Sequence, residues 1–134
     1  MAEHTGGCLC GAIRYTIAID PPVQAVCHCK NCQKQAGSAY SMLVGVPAAA
    51  ITITGEPRIY MDKGDSGASV TRQFCGTCGS PLFSLVEAAP GMVFVKAGTL
   101  DDTSGFKPSA QFWTKSRQDW VDLGALPGFE TVPG

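Results

Sequence analysis

The chain of 134 residues carries 10 basic and 11 acidic side chains, a net charge of -1, and is 45% hydrophobic and 8% aromatic; this fits one domain, 1-134, hiding roughly two-thirds of the surface its unfolded form exposes. No stretch gathers the dense lysine and arginine patch that nucleic-acid phosphates require, and no run approaches the roughly 18 apolar residues of a membrane span. The opening "MAEHTGG" lacks the basic and apolar regions of a signal peptide, so a cytosolic protein that engages neither nucleic acid nor membrane is expected.

In chain order, "GAIRYTIAI" (Gly11 to Ile19) alternates Ile13, Tyr15 and Ile17 on one face, as a half-buried strand does, and the "DPP" at Asp20 to Pro22 ends it. A second strand runs from Val23 into Cys27. The polar "KNCQKQAGS" holds good helix formers and stops at Gly37, which predicts one short helical segment with Cys32 at its start. Then come "AYSMLVGVP", "AAITIT", "PRIYMD" and "ASVTRQF", divided by Pro47, by Gly55 to Pro57 and by the turn-like Asp62 to Gly67. "SPLFSLV", "GMVFVKAG" and "SAQFWTK" continue the series. Short β-rich runs every 8 to 15 residues or so predict a mainly β protein of antiparallel strands, as a sandwich or a barrel. The Gly- and Pro-rich tail from Leu123 to Gly134 reads as an irregular surface segment beyond a core of about residues 6-122.

Seven cysteines leave one thiol over in any scheme of paired disulfides, and a reducing compartment disfavours such bonds. Metal ligation is the better account. In an extended strand Cys8 and Cys10 project to one face, while the Cys75/Cys78 pair, flanked by Gly76 and Gly79, forms a tight knuckle with converging sulfurs. These four thiolates suit a closed, structural zinc site. Cys27, Cys29 and Cys32 remain, three ligands that leave one direction of a zinc ion open, as catalytic and substrate-binding sites do. Three thiolates make such a zinc a weak activator of water but a good holder of a soft ligand, so a substrate thiol is the natural fourth ligand. The alternatives are a second closed site completed by His28 or a distant side chain, and a redox-sensing thiol cluster. His28 points away from its neighbouring cysteines if the segment is extended, which favours an outer hydrogen bond or a core position over ligation. His4 lies in an N-terminal segment with no evident role.

The stretches "GGCLCGAIRY", "CHCKNCQKQAGSAYS", "RQFCGTCGSPLF", "AGTLDD" and "FWTKSRQDW" resemble, in order and over most of the chain, the glutathione-dependent formaldehyde-activating enzyme family, whose domain is also seen in the centromere protein V type. The resemblance implies a small β-tent fold with a structural zinc on Cys8, Cys10, Cys75 and Cys78 and a catalytic zinc on Cys27, Cys29 and Cys32, two zincs per chain. It also implies a carbon-sulfur lyase-type reaction, the reversible joining of glutathione to formaldehyde. Glutathione brings two carboxylates, and Lys30, Lys34, Lys115 and Arg117 stand near the motifs, although exposed cations ordinarily only face solvent. Gln111 occupies a place where many relatives carry a histidine, which removes acid-base assistance there. Trp113 and Trp120 either line a pocket or pack in the core.

The expected function is therefore a zinc-dependent enzyme that binds a small thiol at the three-cysteine site and adds it to a small aldehyde or related carbonyl compound. The rival is a non-catalytic, zinc-stabilised binding module with both metals closed.

Overall fold

A computed structural model describes residues 3–64 and 67–131. The strands are β1 (His4–Gly7), β2 (Arg14–Ile17), β3 (Val23–Cys27), β4 (Ser41–Pro47), β5 (Ile51–Thr54), β6 (Arg58–Lys63), β7 (Ser69–Phe74), β8 (Pro81–Val86), β9 (Met92–Lys96) and β10 (Ala110–Phe112), and α1 spans Lys30–Ala36. They form a three-stranded sheet in the order β1-β2-β5 and a seven-stranded sheet in the order β10-β3-β4-β9-β8-β7-β6. The β class is as the sequence predicts, with one departure from antiparallel pairing: β10 runs parallel to β3. These two strands lie far apart in sequence, so no hairpin dictates their relative sense, and a parallel neighbour needs only a long connection.

The predicted alternation in β2 is borne out. Ile13, Tyr15 and Ile17 turn inward and pack on Val44, Val46, Leu82, Phe83, Val93 and Val95 from the large sheet. Each such side chain contributes roughly 1.5–3 kcal/mol on leaving water. Tyr15 meets Phe83 edge-on at 5.4 Å, and its hydroxyl finds Thr99 Oγ1 at 2.8 Å, which satisfies the polar end of an otherwise buried ring. Arg14 donates to Asp101 Oδ1 at 3.0 Å, pinning the segment after β9 to the small sheet.

Helix α1 ends at Gly37, whose φ of 62° closes the helix with its N–H on the Gln33 and Lys34 carbonyls. The tail has more order than its composition suggests. Gln111 N–H donates to Pro127 O at 2.8 Å, Phe129 N–H to Gln111 O at 2.9 Å and Trp113 N–H to Thr131 O at 3.0 Å. Residues 127–131 therefore cover the outer edge of β10, which would otherwise present unpaired backbone groups.

Candidate metal centres

Both pairs of the four-cysteine group sit in turns, which corrects one expectation. Cys8 follows β1 but Cys8 to Gly11 is not extended: Gly11 N–H bonds back to Cys8 O at 3.1 Å and Cys8 N–H to Ile13 O at 3.0 Å. Gly11 adopts φ 82°, a conformation that costs glycine little. Cys75 repeats the device, with Gly79 N–H on Cys75 O at 2.9 Å and Gly79 at φ 80°. A tight turn wins over a strand because it aims backbone N–H groups at sulfur. Ile13 N–H donates to Cys8 Sγ at 3.3 Å, and Thr77 and Cys78 N–H donate to Cys75 Sγ at 3.3 and 3.4 Å.

The two knuckles bring Cys8, Cys10, Cys75 and Cys78 together with all four sulfurs within 4.8 Å of one another. Cys8 and Cys10 sulfurs are 3.6 Å apart and Cys10 and Cys75 sulfurs 3.7 Å. Sulfurs placed about 2.3 Å from one tetrahedral ion stand about 3.8 Å apart, so this group fits a metal. The Cys78 thiol is lowered to about 5, chiefly by its hydrogen bond with Ser80. Burial pushes the Cys8 thiol up, but the Ile13 N–H and the neighbouring thiols outweigh it and bring it below its ordinary value.

The second group assembles where β3 gives way to α1. Cys27 ends β3, Cys29 is the N-cap of α1 with its sulfur accepting from Cys32 N–H at 3.2 Å, and Cys32 lies in the first turn. Gln33, buried, fixes this geometry by donating to His28 O at 2.6 Å and Ser116 O at 2.9 Å. The three sulfurs lie within 4.8 Å of one another, and among the described residues no fourth cysteine, histidine or carboxylate joins them. Trp113 packs against Cys27 and Cys29. It holds φ at 58°, the one non-glycine residue with positive φ among those described, a strain that costs of order 1 kcal/mol or more and persists where the surroundings impose it. Lys115 Nζ lies 5.2 Å from the Trp113 ring centroid.

Two cations that sequence reasoning passed over lie near these thiols. Lys96 and Arg72 are buried. Lys96 Nζ donates to Ser41 Oγ at 2.6 Å, and Arg72 Nε to Asp62 Oδ2 at 2.8 Å. The Cys32 thiol is lowered to about 3 by hydrogen bonds from Cys27 and then Cys29, with the charges of Lys96 and Arg72 adding to the effect, while the Cys27 thiol is pushed up by the same sharing. Burial lowers Lys96 to about 8 against the opposing pull of Cys32.

The remaining candidates fall elsewhere. His28 is fully buried, outside the sulfur group, with Nε2 2.9 Å from Gln111 Oε1 and its ring edge-on to Tyr40. It is a core residue. His4 pairs with Asp20 at 2.9 Å. Lys30, Lys34, Lys115 and Arg117 are exposed, and Trp120 is 75% exposed with its Nε1 on Gln118. Two surface pockets, of ≈ 410 and ≈ 380 Å³, contain no cysteine in their walls.

A small mixed β scaffold carrying a four-cysteine and a three-cysteine group, each able to hold a metal ion, defines the class. The family model described as glutathione-dependent formaldehyde-activating enzyme matches residues 3–116, and the chain belongs to this family. Proteins of Aspergillus flavus and Aspergillus oryzae named "Putative glutathione-dependent formaldehyde-activating enzyme" are each 31% identical over 114 residues, 79% of this chain and 59% of theirs. A Talaromyces marneffei protein of the same name is 30% identical over 106 residues, 75% of this chain and 54% of its own. The chain thus spans between half and three-fifths of the length of these curated relatives. A Rhodobacter sphaeroides protein of known crystal structure shares the fold, with a TM-score of 0.58 over 93% of this chain and 99% of that one at 18% identity.

Proposed function

We propose that the chain is a zinc-dependent carbon-sulfur lyase-type enzyme of a reducing, cytosolic compartment, which adds a small thiol such as glutathione reversibly to formaldehyde or a related small carbonyl compound. The observation that carries this reading is the unequal division of the cysteines: four sulfurs within 4.8 Å of one another, and three that meet no fourth protein ligand among the described residues. The four-cysteine group, at the junction of two distant turns, suits a structural zinc. Zinc on Cys27, Cys29 and Cys32 would supply an open position at which a substrate thiol is kept as thiolate.

The chain's own residues supply the setting. Cys27 and Cys29 are buried against Trp113, with Cys32 beside them. Lys96 and Arg72 stabilise negative charge there. In the reaction the S–H bond breaks, a sulfur electron pair forms the bond to the carbonyl carbon, and the carbonyl π pair takes up the released proton as the O–H bond. Holding the thiol beside the carbonyl accounts for most of the acceleration. The test is thiol-dependent formaldehyde exchange followed by NMR, in the wild type and in Cys29→Ser. Exchange accelerated by the wild type and lost in the variant supports the assignment, and equal exchange in both refutes it.

A further inference from the structure

The geometry points to Lys96 as the counter-charge of the three-cysteine site, a positioning residue seated by Ser41 that lets three thiolates retain a divalent metal. This inference rests on the metal assignment proposed above.

The strand register sets the arrangement. Cys27 faces Ser41 across β3 and β4, and Leu43, two residues on, faces Lys96 across β4 and β9. Directly opposed residues and i, i+2 neighbours project to the same face of a sheet, so Cys27, Ser41 and Lys96 share one face. The alternate residues Val44 and Val95 fill the core on the other. Ser41 is 1% exposed and Lys96 6%, and the 2.6 Å bond from Nζ to Ser41 Oγ directs the ammonium toward the Cys27 end of β4.

A buried ammonium is costly unless a negative charge answers it. Lys96 is the one buried lysine among the described residues, and no carboxylate there pairs with it, the ion pairs being His4 with Asp20, Arg14 with Asp101 and Arg72 with Asp62. The nearby charges that answer it belong to Cys32, Cys27 and Cys29. Three thiolates around a divalent ion carry one net negative charge. Lys96 cancels it, and Arg72, which also favours the thiolates, has its own charge answered by Asp62. The four-cysteine group draws instead on N–H groups of Ile13, Thr77 and Cys78, so loss of Lys96 should act on one site alone.

The experiment measures zinc affinity at both sites of the full chain by competition with a chromophoric chelator, with Cys32→Ser identifying the signal of the four-cysteine site. In Lys96→Met the three-cysteine site should weaken by about 10–100-fold, the range found when groups behind metal ligands are removed. The four-cysteine site should hold its affinity, and Lys96→Arg should recover most of the loss. Three-cysteine affinity within about twofold of wild type in Lys96→Met overturns the role. Should Lys96→Met fail to fold, Ser41→Ala keeps the charge but releases Nζ. A smaller loss confined to the same site is then expected, and no loss overturns the role. A wild type that takes up a single zinc removes the site itself, and with it both the proposed function and this inference, an outcome distinct from two zincs indifferent to residue 96.

Discussion

His28 Nε2 and Gln111 Oε1 meet at 2.9 Å in the interior, although His28 stands between two metal-ligand candidates in sequence. Gln111 passes the contact on by donating to Leu126 O at 3.0 Å, so the pair ties β3, β10 and the tail together. Gln111→Leu leaves His28 and Leu126 O without their partner and should cost about 1–3 kcal/mol. The proposed content of two zincs per chain should not change. Urea unfolding and metal analysis of the same sample check both halves.

The two cysteine groups should respond differently to the loss of one sulfur. Cys75→Ser breaks the clamp between the first turn and the β7–β8 turn, where the proposed structural zinc would contribute on the order of 10 kcal/mol to folding, so the variant should lose cooperative thermal unfolding. Cys29→Ser should shed one zinc and keep a cooperative transition. Circular dichroism melts with zinc analysis distinguish the two.

Tyr15 gives the fold an alkaline limit. Burial, opposed by the Thr99 hydrogen bond, raises its hydroxyl to about 12 from an ordinary value near 10. The unfolded chain ionises first, so this stabilisation is complete below about pH 10 and lost as pH rises through 12. Tyr15→Phe should cost about 1 kcal/mol at pH 7 by removing the bond to Thr99. Its disadvantage should shrink between pH 10 and 12, as urea midpoints across that range would record.

Trp113 shields Cys27 and Cys29 while held at positive φ. Trp113→Ala should cost about 3–5 kcal/mol for lost packing. In metal-free protein it should also speed alkylation of Cys27 and Cys29 by iodoacetamide. Mass spectrometry of peptides spanning residues 27–32 would read that rate.

Local signals made much of the fold legible. The alternation through Ile13, Tyr15 and Ile17 marked a core face, Gly37 marked the end of α1, and the cysteine arithmetic separated the two groups. The features that escaped are those set by tertiary partners. The turn from Cys8 to Gly11 is the exception, closed by the short-range bond of Cys8 N–H to Ile13 O, yet the alternation of the following strand does not announce it. Nor does Leu123 to Thr131 announce that it will cover β10. Lys96 and Arg72 escaped for a related reason: Lys96 alternates with the core residues Val93 and Val95, while Arg72 follows Val70 on the buried face of β7 and finds its counter-charge only on the neighbouring strand, in Asp62. The face they share is covered because α1 reaches the end of β6, where Asn31 donates to Lys63 O.

The most direct measurement is zinc per chain together with the zinc coordination sphere by X-ray absorption, before and after addition of glutathione. Two zincs are expected, with an added sulfur replacing a lighter ligand on one of them. Two zincs whose spheres ignore the thiol, or one zinc alone, would contradict it and leave a zinc-stabilised binding module in its place.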